Sequence, residues 1–182
     1  MKQNLNNFNK EFDKILSIDP SGTGTTGIYF RNGEVEEFLQ YQGKDWKEHY
    51  KFIQQLVRDY QPNILLFEDT NYIHKRTKDG LNLFRLLGAI ECLEVKQIEK
   101  VNVLRVKELT KKMLVEAKHQ NLNKMSVTYQ IKDLDCKTQK LLSWVEYKVG
   151  RGKGWMYKNK RVSIHCLESY LVYWLSKISN NY

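Results

Sequence analysis

Two carboxylates stand where buried strands are expected to end. Asp19 ends the apolar run of residues 14–19 (KILSID), and Glu68 directly follows the apolar run of residues 63–67 (NILLF). Short continuous apolar runs of this kind are typical of fully buried strands. Neighbouring strands of one sheet would bring the two carboxylates close together, and like charges so placed need a cation. Carboxylate oxygens favour the hard ion Mg²⁺, with Mn²⁺ as its substitute.

A histidine and a third carboxylate extend this candidate metal site. His165 and Glu168 lie three residues apart in the apolar segment 163–179, so they share one face of the helix predicted there. Two divalent ions about 4 Å apart would activate a water and stabilise the leaving oxygen in phosphodiester cleavage. Each residue alone has an ordinary alternative: Asp19 as a turn cap, His165 as a core histidine and Glu168 as a surface acid. Together with the two strand-end acids, the pair favours a metal site.

The segment after Asp19 has a G-x-G-x-x-G pattern from Gly22 to Gly27, which formally matches a dinucleotide-binding fingerprint. That fingerprint requires a helix to follow, so that the helix N-terminus holds the pyrophosphate. Residues 28–39 are instead β-branched and aromatic around Asn32-Gly33, which predicts an antiparallel hairpin. No Gly-Lys-Ser/Thr closes a P-loop either. The glycines are therefore expected to make room for a metal or a phosphate.

The composition is that of a basic globular protein. The chain has 182 residues, enough for one domain with its own core, and 41% of them are hydrophobic. Its 30 Lys and Arg against 21 Asp and Glu give a net charge of +9, which predicts a polyanionic partner. There is no apolar run of 18 residues, and the N-terminus lacks the apolar centre of a signal peptide. A cytoplasmic protein without membrane association is expected.

The three cysteines are predicted to be structural. Cys92, Cys136 and Cys166 are odd in number and widely spaced, which argues against a disulfide framework or a zinc site. We expect them to be small buried hydrophobes.

Periodicity along the chain predicts an α/β fold. Residues 1–13 are polar and Asn-rich and are expected to form a loose arm. After the first strand and the hairpin, the predicted elements alternate between helix and strand. They are a helix at 45–60 capped by Asp45, a strand at 63–67, a helix at 79–94, a strand at 101–104, a helix at 107–118 and the C-terminal helix at 163–179. This order predicts a sheet of mixed direction in a single domain spanning residues 1–182.

Residues 137–161 form a strongly basic segment. They contain eight Lys and Arg and one acid, so they carry 8 minus 1, or +7, of the net charge of +9. Aromatic residues alternate with the basic ones on both sides of a Gly-rich turn at 150–154: Trp144, Tyr147, Trp155 and Tyr157. The pattern predicts a basic hairpin suited to phosphate contact and base stacking. The alternative is a solvated loop whose aromatic residues pack.

Three segments in order, ILSIDPSGTGTTGIYF, NILLFEDTNY and HCLESYLVYWL, resemble the RuvC family of Holliday junction resolvases in the RNase H-like superfamily. The resemblance runs from about residue 14 to residue 177, interrupted by the basic segment. It implies an RNase H-like fold, a mixed five-stranded sheet with an antiparallel hairpin and parallel strands, flanked by helices. It also implies a homodimer that resolves four-way DNA junctions by paired, Mg²⁺-dependent nicks leaving a 5′-phosphate and a 3′-hydroxyl, with a branch-migration helicase as a further partner.

Two alternatives to this function stay open on the sequence. One is a nuclease with a wider range of branched substrates, such as flaps, forks and three-way junctions, because a flexible basic segment would accept several shapes. The other is a junction-binding protein without catalytic activity. The abundance of lysine and asparagine points to an AT-rich genome, such as that of a phage or a mollicute.

The resemblance also assigns roles to residues. Asp19, Glu68 and Glu168 would be acidic metal ligands and His165 would bind or orient the nucleophilic water, with Glu168 standing where the family usually has Asp. The helix at 79–94 matches the family's dimer helix, its apolar residues being divided between the core and a two-fold interface: Leu83, Leu86, Leu87 and Ile90. The implied DNA contacts are Tyr72, Lys75, Arg76, Lys107, Lys124, Lys148, Arg151, Lys153, Lys158, Lys160 and Arg161. The basic segment is treated as an insertion in the DNA-binding face.

Overall fold

The computed structural model describes residues 13–70, 77–119, 127–128, 142–146, 153–158 and 160–179. Residues 1–12 of the predicted arm and residues 150–152 of the predicted Gly-rich turn lie outside these residues, whereas residues 153–154 of that turn belong to a strand. None of the described helices is long and apolar enough to cross a membrane.

The main sheet has five strands in the order β3-β2-β1-β4-β5. They are β1 (Lys14–Asp19), β2 (Gly24–Asn32), β3 (Val35–Gly43), β4 (Ile64–Asp69) and β5 (Gln97–Asn102). β2 is antiparallel to both β1 and β3, whereas β4 is parallel to both β1 and β5. The predicted mixed five-stranded sheet, with a hairpin on one side and parallel strands on the other, is confirmed.

The turn of the hairpin is shifted by one residue from the predicted Asn32-Gly33. Asn32 pairs with Val35, which leaves Gly33 and Glu34 as the two-residue loop. Gly33 has a φ of 59°, a backbone conformation that favours glycine at the first position of such a turn.

Among the described residues, four helices flank the main sheet: α1 (Trp46–Tyr60), α2 (Lys78–Glu91), α3 (Val103–His119) and α4 (Ile164–Ser179). A polar side chain before each helix accepts a hydrogen bond from a backbone N–H of the first turn. These caps are Asp45 to Lys47 N at 2.9 Å, Thr77 to Gly80 N at 3.1 Å, Asn102 to Leu104 N at 2.8 Å and Ser163 to Cys166 N at 3.2 Å. Caps of this kind each contribute about 1 kcal/mol to helix stability.

The cap at Asn102 explains one wrong boundary. A strand was predicted at 101–104 and a helix from residue 107, but β5 ends at Asn102 and α3 begins at Val103. Because the Asn102 side chain satisfies the Leu104 N–H, the chain can turn into a helix directly after the strand.

Alternate residues of the strands build two cores, one on each face of the main sheet. On one face, apolar side chains of the central strands pack against α1 and α2; the buried members include Leu16, Ile18, Ile28, Phe30, Leu65, Phe67, Ile53, Leu56, Leu86, Leu87 and Ile90. On the other face the strands pack against α3 and α4; the buried members include Ile15, Tyr29, Leu66, Val106, Leu109, Met113, Leu167, Tyr170 and Leu171. The main sheet is therefore a middle layer between two helical layers.

A second, antiparallel sheet has the order β6-β7-β8-β9. Its strands are β6 (Val127–Thr128), β7 (Leu142–Glu146), β8 (Lys153–Tyr157) and β9 (Lys160–Val162). The hairpin predicted in the basic segment is confirmed as β7 and β8.

The suggested base-stacking role of the aromatic residues is wrong for two of them. Trp155 is 3% exposed and Tyr157 is 4% exposed, and both pack into the core under α3 and α4. The Tyr157 hydroxyl donates to Glu36 at 2.8 Å, and so does the Tyr29 hydroxyl. The aromatic side chains of β8 thus pack inward. Tyr157 of β8 and Tyr29 of the main sheet share the Glu36 carboxylate of β3, which attaches β8 to the main sheet.

The cysteines divide in a way that the sequence does not reveal. Cys166 is buried as predicted, but Cys92 is exposed at the end of α2, so the prediction is wrong there. Cys136 lies outside the described residues.

Candidate metal centre

Alternation along two parallel strands puts Asp19 and Glu68 on the same face of the main sheet. The residues before them, Ile18 and Phe67, oppose one another in the register of β1 and β4 and pack under α1 and α2. The next residue of each strand therefore points to the other face, towards α4. Asp19 and Glu68 are both 6% exposed, so these carboxylates lie side by side in a buried position.

A glycine lets α4 lie directly on the sheet at this point. Gly27 of β2 is opposite Asp19, and a Cβ atom there would lie 2.2 Å from the carbonyl oxygen of His165. One turn further along α4, the Ser17 hydroxyl donates to the carbonyl of Ser169 at 2.7 Å. Both contacts bring the first turns of α4 over the end of β1.

The proposed role of the glycines as room for metal or phosphate is wrong for two of them. Gly27 accommodates the backbone of α4, and at Gly22 a Cβ atom would lie 2.2 Å from the backbone nitrogen of Leu83 in α2. The segment from Gly22 to Gly27 therefore packs closely against two helices, α2 and α4.

Asp19, His165 and Glu168 form a compact group. His165 Nδ1 lies 2.8 Å from Asp19 Oδ2, and one ligand atom from each of the three residues lies within 4.8 Å of the others. The prediction that His165 and Glu168 share a helix face is confirmed by this group. Residues 146 positions apart in the chain therefore meet at one site.

A lysine bridges the carboxylates of this site. Lys107 of α3 places its Nζ 2.6 Å from Glu168 Oε2 and 3.7 Å from Glu68 Oε1. The second oxygen of Glu68, Oε2, is buried and has no hydrogen-bond partner among the described residues. Lys107 was expected at the DNA backbone, but its ammonium group lies at the carboxylates, where it supplies one positive charge.

Burial and mutual repulsion shift the pKa values of the acidic groups. Burial, together with the charge of Asp19, raises the pKa of Glu68 to about 8, although Lys107 opposes the rise. Burial also raises the pKa of Glu168 against the opposing hydrogen bond from Lys107. The hydrogen bond to Asp19 raises the pKa of His165. Lys107 therefore offsets only part of the burial and repulsion that disfavour ionised carboxylates at this site.

These residues fit a hard divalent cation. The donors are three carboxylates and one imidazole, which suit Mg²⁺ or Mn²⁺. The buried Glu68 oxygen without a partner is an available ligand atom, and the raised pKa of Glu68 is the effect expected where a cation is needed. The side chain of His165 is 38% exposed, so the group can be reached from solvent.

Apart from Lys107, the predicted DNA-contact residues lie on or between β8 and β9 or fall outside the described residues. Lys158 donates to Glu36, and its side chain is 49% exposed. Lys160 and Arg161 lie exposed on β9, and Lys153 lies on β8 without a described side chain. The other predicted contacts lie outside the described residues: Tyr72, Lys75, Arg76, Lys124, Lys148 and Arg151.

Sequence reasoning missed the residues that position the ligands. Ser17 interrupts an apolar strand, and its burial with a bond to α4 explains why a hydroxyl is present there. A hydroxyl residue inside an apolar run is visible in the sequence, so Ser17 could have been predicted to have a specific partner. The contact of Lys107 with Glu168 has no comparable signal, since it depends on how α3 packs beside α4.

The chain is similar to solved structures of Holliday junction resolvases. They include Thermus thermophilus RuvC in complex with a Holliday junction substrate (13% identity, 53% of this chain and 68% of that chain covered, TM-score 0.38). They also include Thermus thermophilus RuvC (12%, 52% and 67%, TM-score 0.35) and the yeast mitochondrial Holliday junction resolvase Ydc2 (11%, 57% and 56%, TM-score 0.43). No protein-family profile and no curated protein sequence matches the chain.

Proposed function

We propose that this protein is a metal-dependent nuclease that resolves four-way DNA junctions. The observation that carries the proposal is the group of buried acids and one histidine at the end of β1, with a lysine already bound where positive charge is needed. A buried cluster of this charge has no use in stabilising a core, because burying like charges costs free energy.

Asp19, Glu68, Glu168 and His165 would hold one or two Mg²⁺ ions, with Mn²⁺ as a substitute. When bound, Mg²⁺ supplies Lewis acidity that polarises a phosphate and lowers the pKa of a water. Asp19 orients the imidazole of His165 through Nδ1, which leaves Nε2 either to bind the ion or to take or give a proton, and the side chain is 38% exposed. Lys107 is half exposed, so it can turn from the carboxylates to a phosphate oxygen of the DNA.

Two cuts in opposed strands require two active sites, and we propose that a homodimer provides them. Leu86, Leu87 and Ile90 of α2 are all buried in the protein's own core, so they are not available to a partner. The exposed apolar residues of the helix are instead Leu81, at 45%, and Phe84, at 40%. They offer a patch that a two-fold axis could pair with itself.

The proposal is tested by cleavage of a mobile four-way junction with and without Mg²⁺. We expect paired nicks at symmetric positions with Mg²⁺ or Mn²⁺ and no cleavage in EDTA. Linear duplex, flap and three-way substrates in parallel measure how selective the protein is for the four-way junction. Equal cutting of all of them would replace the junction resolvase with a general branched-DNA nuclease.

Two variants of aspartates near the ends of one strand provide the matched control. Asp19→Asn should abolish nicking and leave junction binding intact, because phosphate contacts come mainly from Lys and Arg. Asp13→Asn, just before β1, alters a carboxylate that accepts a bond from Asn63 at 3.1 Å and should nick normally. Normal nicking by Asp19→Asn would refute the metal assignment.

A further inference from the structure

A buried polar pair lies on the face of the main sheet that is otherwise apolar, away from the metal centre. Thr26 of β2 and His49 of α1 are both 0% exposed, and Thr26 Oγ1 lies 2.8 Å from His49 Nδ1. The Nε2 atom of His49 is buried and has no hydrogen-bond partner among the described residues. Burying such an atom costs free energy that an apolar side chain would avoid. The pair is therefore expected to serve a purpose other than core stability.

The pair holds the turn that follows Asp19. β1 ends at Asp19 and β2 begins at Gly24, so residues 20–23 connect the two strands. Thr26 Oγ1 accepts a hydrogen bond from the backbone N–H of Ser21 at 3.0 Å. The same oxygen lies 3.5 Å from the Ser21 carbonyl oxygen. Thr26 therefore fixes the backbone two residues after a candidate metal ligand.

His49 in turn orients the side chain of Thr26. Burial lowers the pKa of His49, which favours a neutral ring, and a neutral imidazole has one nitrogen that accepts a hydrogen bond. Because Thr26 accepts from Ser21, its own hydroxyl proton is available for His49 Nδ1. Tyr41 packs edge-on against the ring, with centroids 5.1 Å apart, which limits rotation of the imidazole. A chain of contacts thus runs from α1 through Thr26 to the backbone beside Asp19.

α2 contacts the same turn from another side. The Thr23 hydroxyl donates to the Asp79 carboxylate at 2.9 Å, and a Cβ atom at Gly22 would lie 2.2 Å from the backbone nitrogen of Leu83. The bond to Asp79 is exposed, so water competes with it. The bond between Thr26 and His49 is buried and free of that competition. It is therefore the firmer of these two side-chain hydrogen bonds around the turn.

We infer that Thr26 and His49 are positioning residues for the metal centre, acting through the turn that follows Asp19. The inference rests on the proposed function and deepens it. Asp19 lies among other buried carboxylates, and like charges so close together push one another apart when no cation is present. A ligand set must be held to within about 0.5 Å by the residues behind it. Thr26 and His49 give that support from the opposite face of the sheet.

The test measures Mn²⁺ binding by electron paramagnetic resonance in the absence of DNA. Thr26→Val keeps the branched shape and removes the hydroxyl, whereas Thr26→Ser keeps the hydroxyl. Thr26→Val should raise the Kd for Mn²⁺ about tenfold, the lower end of the effect of losing an outer-shell partner. Thr26→Ser should restore most of the affinity. Equal losses in the two variants would overturn the inference, because the hydroxyl would then be irrelevant.

A second pair of variants tests His49. His49→Phe keeps a ring against Tyr41 and removes the acceptor at Nδ1, so Mn²⁺ binding should weaken. His49→Asn loses the ring but can place its amide oxygen where Nδ1 lies, so it should bind Mn²⁺ more tightly than His49→Phe. The reverse order would show that packing of the ring, and not the bond to Thr26, supports the site.

The matched control is Ser176→Ala, which removes another buried hydroxyl. Ser176 donates to the Tyr173 carbonyl of its own helix at 2.9 Å and has no contact with the turn after Asp19. Ser176→Ala and Thr26→Val should both lower the melting temperature, but only Thr26→Val should weaken Mn²⁺ binding. A Thr26→Val protein that melts earlier and still binds Mn²⁺ like wild type would reduce Thr26 to a structural role and overturn the inference.

The positioning role and the nuclease fail separately. Mn²⁺ binding needs no cleavage, so a protein that binds Mn²⁺ in a Thr26-dependent way but never nicks would retain the positioning role and lose the nuclease. A protein that nicks, and whose Thr26→Val variant binds Mn²⁺ and nicks like wild type, would retain the nuclease and lose the positioning role. Absence of Mn²⁺ binding by the wild-type protein would overturn both.

Discussion

The two faces of the main sheet use the same strands for different purposes. On the face under α1 and α2, β1 and β4 present Ile18 and Phe67, which are fully buried among apolar side chains. One residue later, on the face under α4, the same strands present Asp19 and Glu68. The first face gains free energy by excluding water, whereas the second buries carboxylates whose ionisation is disfavoured by burial and mutual repulsion. The comparison teaches that stability and function alternate along each strand.

Two histidines, one on each of these faces, differ in the same way. His49 lies on the apolar side, fully buried, with its Nδ1 2.8 Å from the Thr26 hydroxyl. Burial lowers its pKa, which favours the neutral imidazole of a core residue. His165, on the α4 side, has its pKa raised by the bond to Asp19. The residue type is the same, and the neighbouring groups decide which histidine can take part in chemistry.

The most severe test of the comparison alters one residue on each face at adjacent positions. Phe67→Ala should lower the free energy of unfolding by about 3–5 kcal/mol, because it empties a fully buried aromatic site. Glu68→Gln should leave the free energy of unfolding unchanged or raised, because it removes a carboxylate from a repulsive site, yet it should abolish nicking. Urea unfolding and junction cleavage measure the two effects. A loss of stability in Glu68→Gln as large as that in Phe67→Ala would remove the distinction between the faces.

Substitutions at two glycines test whether α4, which covers the face with the carboxylates, must lie directly on the sheet. Gly27→Ala forces a methyl group into the His165 backbone and should cost about 1–3 kcal/mol, with loss of Mg²⁺ binding as α4 is displaced. Gly88→Ala in α2 meets no atom within 4 Å and should instead stabilise the helix by about 0.5–1 kcal/mol. Thermal unfolding measures the stability of both variants, and Mg²⁺ titration measures their metal binding. Normal Mg²⁺ binding by Gly27→Ala would show that α4 need not lie on the sheet at this point.

Two lysines of α3 test how much of the neutralisation comes from Lys107. Lys107→Met should lower the metal-free stability by about 1 kcal/mol, a value reduced from that of a buried pair because the lysine is half exposed, and Mg²⁺ should restore it. Lys112→Met breaks a surface pair with Glu108 one turn away and should change stability by about 0.5 kcal/mol or less, with or without Mg²⁺. Chemical unfolding in EDTA and in Mg²⁺ measures both variants. Equal behaviour of the two would mean that Lys107 makes an ordinary surface contact.

The smallest expected effect is the dependence of stability on pH. Glu68 ionises near pH 8 in the folded protein but near its ordinary pKa of 4.5 in the unfolded chain, so the folded state binds more protons between these values. His165 adds a contribution that is complete below about pH 6.5 and is lost as pH rises through its raised folded pKa. The melting temperature in EDTA should therefore fall by a few degrees between pH 6 and pH 9.

Mg²⁺ should oppose this fall, because it competes with the proton for the same carboxylate. Glu68→Gln should flatten most of the dependence, since it removes the group with the larger shift. Thermal unfolding across pH with and without Mg²⁺ measures both, and a melting temperature that rises with pH in EDTA would contradict the charge assigned to the site.

Local patterns in the sequence predicted the sheet and the location of its acids. Apolar runs located β1 and β4, and alternation within them decides that Asp19 and Glu68 share a face. The Asp45 cap and the stripe of α1 were likewise readable, because capping and helical periodicity depend only on neighbours in the chain. The start of α3 was not predicted correctly, because the hydrogen bond that the Asn102 side chain accepts from Leu104 N lets the helix begin at Val103.

Only the tertiary structure decided what these local elements meet. Lys107 reaches Glu168 across 61 positions of sequence, Gly27 admits the backbone of α4, and Trp155 and Tyr157 pack inward rather than towards solvent. Periodicity says which face of an element is apolar, but it does not say which segment of a distant element will be packed against that face. The sequence by itself determined that acids end two buried strands, and the packing of α3 and α4 decided that they meet a histidine and a lysine at one place.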